Sequence, residues 1–167
     1  MVIAMYEHIT RARDLLRTLT PLNSDCGRYC GGACCASDSE DEQGMLLFPG
    51  EERLYSDCEW AKVLPARFLG LDDARMLVCR GECPRDERPL ACRLFPIAPR
   101  LIDGKCAARL DRRAFGVCPL TGYGIQALSG EFIRACEQVF DLLCEDEDCL
   151  RYISAWSDLM DEYERGL

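Results

Sequence analysis

The chain has one histidine, His8, among 167 residues. That scarcity excludes three-histidine zinc catalysis and the facial-triad iron sites, and leaves no serine–histidine or cysteine–histidine pair away from the N-terminal segment. Basic side chains are also outnumbered, 20 Lys and Arg against 29 Asp and Glu, for a net charge of −9. This balance runs against general nucleic-acid binding, which needs lysines and arginines facing phosphates. No apolar run approaches the length that spans a bilayer. The opening "MVIAMYEHITRARDLL" meets Glu7, Arg11 and Arg13 early and carries no small-residue cleavage site, so it is not expected to act as a signal peptide. A strand followed by a G-x-G turn is missing too, since "TGYG" (121–124) follows no convincing strand. The expectation is a cytoplasmic protein with no nucleic-acid or membrane partner.

What the chain has in excess is cysteine, thirteen of them. Clustered thiols can mean core packing, disulfides, metal ligation or redox chemistry. An odd number cannot be fully paired within one chain, and reducing conditions disfavour disulfides. Metal ligation or redox chemistry is therefore the expected use. The thiols fall into two groups: Cys26, Cys30, Cys34 and Cys35 in "CGRYCGGACC", then Cys79, Cys83, Cys92 and Cys118. The spacing of Cys26, Cys30 and Cys34 would place them on one face of a helix. A straight helix would, however, hold the outer two about 12 Å apart along its axis. Gly27, Gly31 and Gly32 are poor helix residues and permit a bend. Adjacent Cys34 and Cys35 send their side chains in different directions, so they serve two centres or wrap one from an irregular loop.

Eight soft thiolates select zinc, copper(I) or iron–sulfur clusters. The spacing differs from paired C-x2-C zinc knuckles, which favours an iron–sulfur cluster with Zn2+ as the alternative. Gathered thiolates need positive charge nearby, and residues 80–113 carry nine basic groups against five acidic ones. Arg80, Arg85, Arg88 and Arg93 are interleaved with the downstream cysteines. Arg88 and Arg93 are expected to orient the site through hydrogen bonds to sulfur or to backbone carbonyls. Cys58, Cys106, Cys136, Cys144 and Cys149 lie outside both groups and read as buried or half-buried free thiols.

The expected fold is α+β in one small domain, residues 1–167. Helical spacing covers 2–19 through Ile3, Tyr6, Ile9, Leu15 or Leu16, and Leu19, closed by Thr20-Pro21. The polar segment 37–44 reads as exposed, "MLLF" (45–48) as a strand, "PGEERLYSD" as a helix start and "RMLVC" (75–79) as a second strand. "RPLACRLF" holds a turn or two of helix stopped by Pro96. Residues 97–110 form a β-hairpin turning at Asp103-Gly104, with Pro99 marking an edge strand. A helical pair over about 129–165 closes the chain, the first helix from a Ser129 cap to about Glu145. The second carries Leu150, Ile153, Trp156, Leu159, Met160 and Tyr163 on one broad apolar face. The acidic tail, three basic against eleven acidic groups over 131–167, reads as a solvated face that could meet a basic protein partner.

"CGRYCGGACC" with the later "ERPLACRLFP" resembles the YkgJ-type cysteine-cluster family of zinc- or iron-chelating proteins. The matching positions are Cys26, Cys30, Cys34 and Cys35, then Arg88, Pro89, Cys92, Arg93, Phe95 and Pro96. Cys79 and Cys83 match the two family cysteines that precede the Arg-Pro, and Cys118-Pro119 is similar to the last cysteine of the related flagellin lysine N-methylase group. The likeness covers about residues 24–120. It departs in a shorter gap from Cys79 to Cys83 and in "PRDERP", which lacks the family's aromatic before Arg-Pro. It implies a metal centre held by the eight cysteines in a structural, redox or electron-transfer role. A lysine N-methyltransferase-like enzyme and a metallochaperone or partner-docking module are the alternatives.

Overall fold

The computed structural model describes residues 2–36 and 44–166, with side chains from residue 6 onward. The acidic segment 37–43 and the side chain of Ile3 lie outside the described residues. Helix α1 (Val2–Leu15) buries Ile9 and Ala12, with Leu16 buried just past its end, and leaves Tyr6 and Leu15 exposed. It ends four residues before the expected Leu19. The chain then turns through 16–25, where Thr20 Oγ1 donates to the carbonyls of Leu22 and Ser24.

Two antiparallel sheets follow. In the first, β1 (Gly44–Leu47) and β2 (Ala61–Pro65) flank the central β3 (Arg75–Cys79). The registers Leu46↔Met76 and Val63↔Leu77 align the three strands. "AKVLP" carries little apolar alternation to mark it as a strand, because its inward-facing side is confined to Ala61 and a half-buried Val63. The expected helix at "PGEERLYSD" is a short 3-10 helix, Glu51–Tyr55, entered through Gly50 at φ 86. The second sheet is the hairpin of β4 (Ile97–Ile102) and β5 (Lys105–Leu110). Its turn has positive φ at Asp103 (51°) and Gly104 (76°), the two-residue geometry that suits the strands' twist. Pro99 lies in β4, which has one neighbouring strand.

Between the sheets lies the short helix α3 (Leu90–Leu94), with Leu90 and Leu94 buried. Helices α4 (Gly130–Leu143) and α5 (Glu147–Arg165) close the fold. Ser129 stands at the start of α4 but makes no side-chain capping bond, whereas Asp146 caps α5 by accepting from Cys149 N. Phe132, Val139, Phe140, Leu143, Ile153, Trp156 and Met160 are buried in one core with Ile9, Leu90 and Leu94. Those stripes are packing, about 1.5–3 kcal/mol of transfer free energy for each large apolar side chain. Leu150 and Tyr163, expected on the apolar face of α5, are instead 39% and 44% exposed. A smaller core of Leu47, Tyr55, Ala61 and Leu77 sits under the three-stranded sheet.

The acidic tail is not purely solvated. Glu164 pairs with Arg100 of β4 and with Arg112, and Asp161 pairs with Arg100, tying α5 to the hairpin. No helix among the described residues is long and apolar enough to cross a membrane.

Candidate metal centre

The upstream cysteines are shaped by local chemistry. Asp25 accepts a 3.1 Å hydrogen bond from Gly27 N and so caps helix α2 (Cys26–Cys30). Gly31 and Gly32 then take left-handed φ values of 65° and 73°, and Ala33–Cys35 forms a 3-10 turn. The segment therefore bends, but Gly27 has no part in it, since it sits inside α2. The bend is made at Gly31-Gly32 alone. Beyond it the sulfurs of the adjacent Cys34 and Cys35 stand 4.0 Å from each other.

The downstream cysteines come from three places. Cys79 ends the central strand β3, Cys83 follows in the loop after Gly81, and Cys92 is held in the middle of α3. Cys118 lies between two 3-10 helices, Arg112–Gly116 and Pro119–Tyr123, its N–H bonded to Ala114 O and its carbonyl accepting from Thr121 Oγ1.

These pieces meet around two neighbouring cavities. A narrow one, about 50 Å³, is lined by Cys26, Cys30, Cys34, Cys92, Cys118 and Arg88. A broader one, about 220 Å³, is lined by Cys34, Cys35, Cys79, Cys83, Cys92 and Arg88. All eight predicted thiols thus border one or both cavities. The remaining five lie elsewhere: Cys136 and Cys149 are buried, and Cys58, Cys106 and Cys144 are half-buried. His8 is on α1 with Nε2 3.9 Å from Glu145, on neither cavity. The thiols border the cavities without closing on a point: among the described residues no three His, Cys, Asp or Glu side chains form a metal-ligand group.

Arg88 stands where the cavities meet. Burial opposes its charge, but a hydrogen bond to Cys83 and the charges of Cys83, Cys35 and Cys92 outweigh that and raise its pKa. Among the described residues its buried Nε has no hydrogen-bond partner. Cys35 is pulled down to about 6, chiefly by the Cys34 thiol donating to it and further by Arg88, against the opposing effect of burial. Cys34 is raised correspondingly by the same bond. Burial raises Cys92 and Cys26. The donor set fits a soft metal: sulfur throughout, with a guanidinium to offset thiolate charge.

A second layer holds the loop that carries Arg88. Arg93 donates from Nε to Arg88 O at 2.8 Å and from Nη2 to Asp86 O at 2.8 Å and Arg85 O at 3.3 Å. Arg85 in turn lies 3.6 Å from Asp25, joining this loop to the cap of α2. Glu51, fully buried, accepts from Leu90 N at 2.6 Å and Phe48 N at 3.3 Å, with Arg13 Nη1 3.6 Å away. Arg13 also donates to Tyr55 OH and Asp86 O, and Tyr55 donates to Glu87 O. Burial raises Glu51 to about 7, despite the Leu90 N–H, Arg13 and the Phe48 N–H that favour its charge. No local pattern in the sequence marks Glu51, the first residue of its short 3-10 helix, as the buried acceptor for Leu90 N.

Comparison with family models, with curated proteins and with solved structures finds no match to this chain. Its class is defined by its own architecture: a single α+β domain of helices and two small antiparallel sheets, with a cysteine-bordered pair of cavities between α2, β3 and α3.

Proposed function

We propose that this chain is a metal-binding protein that holds an iron–sulfur cluster, or alternatively zinc, through cysteine thiolates in a structural or electron-transfer role. The observation that carries the reading is the meeting of eight thiols, from segments more than ninety residues apart, around adjoining cavities that share Arg88. Core packing would not require this. Seven of the eight are only half-buried and Cys34 is exposed, whereas the thiols used for packing, Cys136 and Cys149, are buried deep in the helical core. A metal bound by both halves of the chain would contribute folding free energy directly. The groups that would hold it are the eight thiols, with Arg88 and Arg93 fixing their charge and orientation.

Anaerobic purification followed by an absorption spectrum and metal analysis tests this. Visible sulfur-to-iron absorption with iron and sulfide present supports the cluster, and a colourless protein with stoichiometric zinc supports the alternative. A protein that takes up neither overturns the reading. One observation favours a metal-delivery role beside it: Cys34 is exposed and borders both cavities, as a thiol that passes metal to a partner must be. Rapid loss of bound metal to a chelator would support delivery, and resistance would support a structural or electron-transfer centre.

A further inference from the structure

We infer that the eight thiols make two separate metal centres rather than one, and that each centre takes ligands from both halves of the sequence. This rests on the metal-binding reading above. The first centre is built on Cys26, Cys30 and Cys118 and the second on Cys35, Cys79 and Cys83, with Cys34 and Cys92 between them to complete the two.

The assignment follows from which walls the thiols form. Cys26, Cys30 and Cys118 border the narrow cavity and not the broad one. Cys35, Cys79 and Cys83 border the broad cavity and not the narrow one. Cys34 and Cys92 border both and stand on the wall between them. Each cavity is lined by five thiols, three of its own and these two shared, and dividing the shared pair gives four to each, the number that fills a structural zinc site or holds a cubane cluster.

The doubled cysteine is what makes two centres possible. Adjacent residues cannot easily send both side chains to one small ion, and here the Cys34 and Cys35 sulfurs stand 4.0 Å apart at the boundary. Ligands of a single zinc, each about 2.3 Å from the ion, would sit at tetrahedral separations of about 3.8 Å, so distance alone does not decide. The cavities do, because Cys35 does not border the narrow one. Arg88 borders both cavities. One guanidinium thereby offsets part of two anionic centres.

Cobalt(II) titration of the reduced, metal-free full chain tests the partition, since thiolate-to-cobalt absorption counts bound ions whatever the native metal is. The native sequence should bind two ions. Cys26→Ser/Cys118→Ser and Cys79→Ser/Cys83→Ser should each bind one, with circular dichroism confirming a folded chain. If a double variant unfolds, the single variants Cys30→Ser and Cys83→Ser replace it, each expected to weaken one binding step at least tenfold and leave the other unchanged. One ion in the native chain, or loss of both steps in either variant, overturns the two-centre assignment while the metal-binding reading stands. No cobalt bound, together with no iron or zinc in the purified protein, overturns the metal-binding reading itself.

Discussion

Arg93 Nε donates a 2.8 Å hydrogen bond to the carbonyl of Arg88, the residue whose own guanidinium lies between the two cysteine cavities. The same Arg93 also binds the carbonyls of Arg85 and Asp86, so one planar side chain closes the whole 85–88 turn. Arg93→Ala leaves three carbonyls seeking water and frees Arg88 to move. Metal affinity should fall about ten- to a hundred-fold. Arg93→Lys should recover little, because an ammonium cannot reproduce the fork geometry. Competition against a graded series of chelators reads both; unchanged affinity in the alanine variant would mean that the turn holds its shape without Arg93.

The bend between Cys30 and Cys34 depends on two residues in the left-handed region, Gly31 and Gly32, and a Cβ at either would meet nothing within 4 Å. The cost of a side chain there is purely conformational, about 1–2 kcal/mol per residue. Gly31→Ala and Gly32→Ala should therefore lower thermal stability modestly and weaken metal binding together, since an unbent segment carries Cys34 and Cys35 away from the cavities. Gly116→Ala, also free of clashes but without a positive φ, should do neither. Melting curves of metal-free and metal-loaded protein separate the two effects.

Glu51 gives the fold a pH signature. Facing it are Arg13 of α1, Tyr55 of its own 3-10 helix, and Arg93 and Cys92 of α3. Burial raises its pKa from 4.5 to about 7, so the folded chain binds its proton more tightly than the unfolded chain. Its contribution to stability is complete below pH 4.5 and is lost as pH rises towards 7. The loss is on the order of 3 kcal/mol from a shift of that size. Glu51→Gln removes that slope, so the stability difference between the two proteins should move in favour of glutamine by this amount between pH 4.5 and 7.5. Urea unfolding across this range checks it, and parallel curves would place the Glu51 pKa near its ordinary value.

Tyr152 is 1% exposed and packed against Phe48, Phe68 and Trp156, and among the described residues its hydroxyl has no hydrogen-bond partner. A buried hydroxyl left unpaired costs about 1–3 kcal/mol of desolvation. Tyr152→Phe keeps the ring contacts and removes that cost, so its melting temperature should rise. A fall would reveal a polar partner for the hydroxyl.

Much of this architecture is written locally. Asp103-Gly104 marks the hairpin because a two-residue turn needs two positive φ values. The apolar stripes of α4 and α5 mark the core because helical period alone gathers Phe132, Val139, Ile153 and Trp156 onto inward faces. The glycines between Cys30 and Cys34 mark a bend for the same kind of reason, that backbone conformation is a property of a few neighbouring residues. Where the local signal is weak the sequence misleads: Leu150 and Tyr163 follow the helical period of α5 yet lie outside the core, and β2 carries too little apolar pattern to mark a strand.

Only the tertiary structure decided how the cysteines are shared out. Two groups of four are visible along the chain, but the cavities cross those groups, putting Cys118 beside Cys26 and Cys30 and putting Cys35 beside Cys79, Cys83 and Cys92. Likewise Glu51 is written as the acidic start of a short helix and is in fact the buried acceptor for the first N–H of α3. Such pairings depend on how α2, β3 and α3 pack, through contacts between residues tens of positions apart. Residue type and spacing determine which groups are chemically able to bind and where the chain can turn. Long-range packing determines which of those groups face the same space, and it leaves no periodic trace in the sequence.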